Sequence, residues 1–165
     1  MDIDERPLRP CVGIMLLNEE NKVWTGRRIA VSGMKASALM WQMPQGGIDK
    51  GEAPLEAAHR EMEEEIGTNK ASLIAEHSQW LDYRFSGALS QNAFKGKYGG
   101  QTQKWFAMRF EGHDEDIDIS GGKHHKAEFD EWKWEDMSNL PDIVIEFKRH
   151  VYVEVVQEFQ KILQK

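Results

Sequence analysis

Cysteine is almost missing from this 165-residue sequence. Cys11 stands alone, which rules out an intrachain disulfide and suits a reducing compartment, so a cytoplasmic location is expected. Set in the apolar run CVGIMLLN with no metal-ligand spacing around it, Cys11 reads as a buried structural thiol. Basic charge is also short: 21 Lys and Arg face 28 Asp and Glu, for a formal net charge of −7. Such a chain as a whole attracts neither nucleic acid nor an anionic membrane. A polyanionic substrate would need local cations or bound metal ions. No apolar run approaches the roughly 18 residues of a membrane helix, and the acidic start MDIDERPLRP lacks the apolar centre of a signal peptide, so no membrane partner is expected. Internal repeats and long low-complexity tracts are absent as well. The 40% apolar content, with six Trp and seven Phe, is enough for a packed core in one domain over 1–165.

Two strands are expected first, over Cys11–Asn18 and Val23–Ile29, joined by the turn EENK. MWQMPQGG follows, with Pro44 and the pair Gly46-Gly47 breaking regular structure. A helix then runs from Ala53–Pro54, where proline is tolerated in the first turn, to Gly67, a good residue for closing it. LIAEHSQWLDYRF and TQKWFAMRFEG read as strands, separated by the Gly- and Lys-rich loop Ser86–Gly100. EFDEWKW is a short strand with Trp132 and Trp134 on one face. Phe147, Val151, Val155, Phe159 and Ile162 recur at helical spacing and mark an amphipathic C-terminal helix. The pattern predicts an α+β domain with a mixed sheet between helices.

The stretch REMEEEIG concentrates charge, with glutamate at four of the five positions from Glu61 to Glu65. At 100° per residue, Glu61, Glu64 and Glu65 share an arc of about 100° beside the apolar stripe of Leu55, Met62 and Ile66. Glu63 points elsewhere, toward solvent, and Arg60 can reach Glu56, Glu63 or Glu64. The three clustered carboxylates admit two readings: a solvated acidic face, or oxygen ligands for a hard divalent cation such as Mg²⁺.

From Gly46, through Glu52, to Arg60-Glu61-Met62-Glu63-Glu64-Glu65-Ile66-Gly67, the spacing resembles the signature of the Nudix hydrolase family, GX5EX7REUXEEXGU. Only Thr68 departs, at the last apolar position. The segments LRPCVGIMLLN, WQMPQGGID, QTQKWF, EFDEWKW and FKRHVY are similar to those of bacterial RNA 5′-pyrophosphohydrolases, a branch that also holds dinucleoside polyphosphate (Ap4A) hydrolases. The resemblance implies the Nudix fold, an α/β/α sandwich with a mixed β-sheet. It implies Mg²⁺, or Mn²⁺ in its place, bound by Glu61, Glu64, Glu65, Glu128 and the Gly46 carbonyl. Glu64, Glu65 and Glu128 are the implied catalytic carboxylates, and Glu52 and Arg60 an ion pair bracing the loop against the helix. Arg9, Arg28 and Lys148 are implied at the phosphates, with Phe147 and Tyr83 against a base. The implied activity is removal of pyrophosphate from 5′-triphosphorylated RNA by water attack. Hydrolysis of Ap4A or Ap5A is the alternative, and a non-catalytic nucleotide-binding module fits less well because the carboxylates are all present. Oligomeric state is left open.

Other polar residues read more plainly. His124 and His125 lack a correctly spaced third ligand and are expected as exposed loop histidines. His59, near the apolar edge of its helix, is expected to pack or hydrogen-bond. Lys95, Lys97 and Tyr98 sit in a loop that is either solvated or in contact with RNA.

Overall fold

The computed structural model describes residues 5–29, 41–85, 97–122 and 125–164. Lys95 and His124 lie outside them, as does most of the loop Ser86–Gly100. Two long strands form the middle of one mixed sheet: β1 (Leu8–Leu17) and β7 (Gly100–Phe110). They run parallel, from Leu8 opposite Gly100 to Leu17 opposite Arg109. Each long strand has an outer edge shared by two shorter antiparallel partners. On β1 these are β2 (Val23–Arg28) and β4 (Gln45–Gly47); on β7 they are β5 (Ala71–Glu76) and β6 (Leu81–Arg84). β2 continues the sheet through β3 (Trp41–Gln42) and β8 (Phe129–Glu135).

Parallel strands need cover on both faces, and alternation along β1 and β7 supplies two cores. Val12, Ile14, Leu16, Phe106 and Met108 pack under α1 (Pro54–Ile66), against Ala57, Ala58, Met62 and Ile66. Trp132 and Trp134 both join this side, as their shared face implied. Met15, Leu17, Trp105 and Ala107 face the opposite way, toward Leu140 of the short α2 (Leu140–Ile143) and Val151, Tyr152, Val155 and Phe159 of α3 (Arg149–Leu163). The result is the expected helix–sheet–helix sandwich. Among the described residues no helix is long and apolar enough to cross a membrane.

Three local expectations change. The run LIAEHSQWLDYRF is two strands, because His77 turns the chain: its Nδ1 accepts the Gln79 N–H at 3.1 Å. The glycine pair after Pro44 forms β4 rather than a bare turn, since Cys11–Gly13 offers it an open strand edge. Phe147 lies in a 3₁₀ turn (Glu146–Lys148) just before α3, so the helical stripe begins at Val151. Cys11 is fully buried, and burial pushes its thiol up to about 12. His59 hydrogen-bonds Asn69, Nδ1 to Oδ1 at 2.7 Å.

Candidate active site

The site begins with how α1 is held. Its first turn is opened by Pro54, and it is closed by Gly67, whose φ of +82° is left-handed and whose N–H donates to Glu63 O at 3.0 Å. Arg60 then ties the helix to the loop before it. Its Nε donates to Glu52 Oε2 at 2.8 Å, and its Nη2 to Glu52 Oε1 at 2.9 Å and Gly47 O at 2.8 Å. A forked guanidinium matches a carboxylate in this way, where a lysine would be only a point charge. Asp49 N–H also donates to Glu52 Oε1 at 3.0 Å. With Arg60 and then Asp49 bonded to it, the Glu52 carboxyl is held down at about 2.

The clamp places Glu61 and Glu65 against β4 and holds Glu64 at Arg60. Arg60 Nη1 donates to Glu61 Oε1 at 2.9 Å and to both Glu64 oxygens at 3.3 Å. Of the partners its helical position offered, Arg60 thus takes Glu64, and it adds Glu52 and Glu61. Glu63 is exposed, as expected. Gly46 lies so close to the Glu61 carboxylate that any Cβ there would overlap it. Burial pushes the Glu61 carboxyl up to about 6 despite its bond to Arg60.

Glu65 is the more extreme case. Its Oε2 is shut off from solvent and has no hydrogen-bond partner among the described residues. Burial, then the charges of Glu61 and Glu128, raise its pKa well above the ordinary carboxylate value, against the Gln45 backbone N–H and Arg28, which favour the anion. An unpartnered buried carboxylate oxygen is costly and calls for a counter-charge. Together with the hard oxygen donors of Glu61 and Glu64 and the close approach of Gly46, it suits a divalent cation of the Mg²⁺ type. Among the described residues no three acidic or imidazole groups already enclose an ion position, and Arg60 Nη1 bridges Glu61 and Glu64.

Cations surround this cluster in an otherwise acidic chain. The Arg9 guanidinium lies against Gly47, and Arg28 Nη2 is 3.9 Å from Glu128 Oε2. Glu128 is exposed, with its backbone O accepting the Ile29 N–H at 3.1 Å. A second group sits on the other face of the sheet. Lys148 is buried, and burial and Arg28 lower its pKa to about 7, opposed by Glu65. The Tyr83 ring is buried between Lys148 Nζ, 5.5 Å from its centroid, and Phe147 and Phe85 at 5.5 and 5.9 Å. The structure thus brings the carboxylates, Gly46, Arg9, Arg28 and Glu128 into one cluster and sets Tyr83, Phe147 and Lys148 beside it. Lys97 Nζ lies 5.3 Å from the centroid of the Tyr98 ring. His125 is exposed and lines a cleft of about 410 Å³ along α1 with Glu63, Glu64 and Asp118.

Sequence reading missed the glutamines Gln42, Gln45, Gln101 and Gln103, three of which are buried. A signal was present: polar residues at alternate positions 101 and 103 of a strand otherwise built for the core.

Comparison with known proteins shows the family. The family described as "NUDIX domain" matches residues 7–155. A Brucella anthropi protein named RNA pyrophosphohydrolase is 52% identical, over 99% of this chain and 95% of its own length; its Mesorhizobium japonicum counterpart of the same name is 51% identical, over 98% and 95%. A Caenorhabditis elegans Ap4A hydrolase structure superposes with a TM-score of 0.64 at 18% identity, covering 95% of this chain and 98% of that one. At that identity the likeness shows the fold alone.

Proposed function

Because the chain belongs to the NUDIX family, we propose that it is a Mg²⁺-dependent pyrophosphohydrolase that converts 5′-triphosphorylated RNA and water into 5′-monophosphorylated RNA and pyrophosphate. One Nudix domain over 1–165, working in the cytoplasm, fits this reading. The observation that carries it is the Glu61–Glu65 pair: half-buried carboxylates, one oxygen shut off from solvent and without a hydrogen-bond partner among the described residues, beside Arg9, Arg28 and Lys148. The near-full-length relatives named RNA pyrophosphohydrolase support the choice of substrate.

Glu61, Glu64, Glu65, Glu128 and the Gly46 carbonyl would hold Mg²⁺, with Mn²⁺ as a substitute. Bound there, the ion supplies charge neutralisation at the phosphoryl oxygens and a more acidic water. Arg9 and Arg28 offer forked donors to phosphate, and Lys148 a point charge. Phe147 and Tyr83 border the position for a base. Glu64, Glu65 or Glu128 takes the proton of the attacking water. A carboxylate raised by burial toward neutrality suits that task, since a base works best with its pKa near the operating pH. Arg60 and Glu52 keep α1 and β4 in register and take no proton.

The test is incubation of the protein and Mg²⁺ with 5′-triphosphate RNA, Ap4A and free nucleoside triphosphates separately, with the products identified. Fastest turnover is expected on the RNA, releasing pyrophosphate. Preference for Ap4A would reassign the substrate, and an idle protein would end the enzyme reading.

A further inference from the structure

A chain of buried amides crosses the sheet toward Lys148. Trp105 Nε1 donates to Gln103 Oε1 at 3.0 Å, and Gln103 Nε2 donates to Gln45 Oε1 at 3.1 Å and Gln101 Oε1 at 2.9 Å. The Gln45 side chain in turn hydrogen-bonds the Tyr83 hydroxyl. Chemistry fixes the direction. An indole N–H only donates, so the Gln103 atom facing Trp105 is its oxygen, and its NH₂ must face Gln45. Gln45 is then left with its oxygen toward Gln103 and its NH₂ toward Tyr83. Every amide in the chain has one orientation, set from Trp105 at its far end.

The chain ends where Lys148 begins. The Tyr83 ring carries Lys148 Nζ at 5.5 Å from its centroid, and Gln42 Oε1 accepts from the same Nζ at 3.2 Å. Of the three N–H bonds of an ammonium, one is directed at Gln42, and the π face of Tyr83 attracts the charge as well. Gln103 is 1% exposed and Lys148 5%, so this lysine is not a loose solvated arm. None of the glutamine side chains carries charge, and none has a part in metal binding or proton transfer. Their shared outcome is the direction of one ammonium group.

We propose that Gln42 and Gln103 are positioning residues that clamp Lys148 for a phosphate of the substrate, Gln42 by a direct hydrogen bond and Gln103 through Gln45 and the Tyr83 ring. The proposal rests on the phosphoanhydride reading above. Gln45 is a poor test position, because its backbone N–H also serves Glu65. The experiment therefore uses Gln42→Leu, Gln103→Met and Lys148→Met, singly and in pairs, with KM and kcat measured on 5′-triphosphate RNA and Mg²⁺. Each glutamine variant should raise KM roughly threefold to tenfold, within the lower part of the range for residues coupled through one partner, with kcat nearly unchanged. In the Lys148→Met background both effects should vanish. Glutamine effects that persist in full there, or wild-type KM in both variants, would overturn the clamp. If the wild type leaves the RNA intact, the functional reading fails, and the relay is decided on the free protein by NMR of the side-chain amides. Gln103→Met must shift the Gln45 NH₂ signals, and an unmoved Gln45 overturns it.

Discussion

Glu52 and Glu65 are the same side chain on either side of one arginine, in opposite states. Glu52 receives both arms of Arg60 and an Asp49 N–H, and its carboxyl sits at about 2. Glu65, whose Oε2 is shut off from solvent and has no hydrogen-bond partner among the described residues, is driven upward. One carboxylate is satisfied by the protein and the other is left for something the protein lacks. The difference separates a structural brace from a functional group more sharply than residue type does.

The largest way to test the contrast is to neutralise each carboxylate. Glu65→Gln should cut turnover by about 10²- to 10⁴-fold, the range for loss of proton transfer, while its unfolding midpoint without metal holds or rises, because the desolvation penalty on the Glu65 carboxylate is removed. Glu64→Gln should likewise lower the rate by orders of magnitude with the fold intact; near-normal turnover in saturating Mg²⁺ would remove Glu64 from the chemistry. The next effect is metal linkage. Mg²⁺ at a hundredfold its Kd should stabilise the wild type by about 2.7 kcal/mol, read as a melting shift that Glu65→Gln reduces and Glu52→Gln does not abolish. Breaking the brace with Arg60→Ala should cost roughly 1–3 kcal/mol in urea unfolding, below the figure for a fully buried pair because Arg60 is partly exposed.

The smallest effect is in pH. The Glu52 carboxyl, lower when folded than unfolded, adds stability that is present above about 4.5 and lost as pH falls toward about 2. The Glu61 carboxyl, at about 6 when folded, works in reverse: the native state binds the proton more tightly, so metal-free stability declines as pH rises from 4.5 through 6. Urea unfolding without metal should therefore show a maximum between these windows. Glu52→Gln should flatten the acid limb, and Glu61→Gln should reduce the other without abolishing it, because the raised carboxyl of Glu65 shares that limb.

Much of this was legible in the sequence. α1 was bounded by Pro54 and Gly67, whose backbone preferences are local. β1 was visible as an apolar run and β7 as an alternating strand, and Trp132 and Trp134 share a face because strand alternation places them there. β4 was hidden because Pro44 and two glycines resemble a turn, and only the edge of β1 makes them a strand. Gln103 was hidden because its partners, Trp105 and Gln45, include one 58 residues distant.

The sequence by itself determined which carboxylates share a face of α1, since the 3.6-residue period depends on nothing beyond the helix. Tertiary structure decided what each carboxylate became. Glu65 loses its water only when α1 lies against β4, and Lys148 finds Gln42 only because the sheet closes a separation of 106 residues. Burial and partnership are properties of the packed chain, and they set both charge and chemistry.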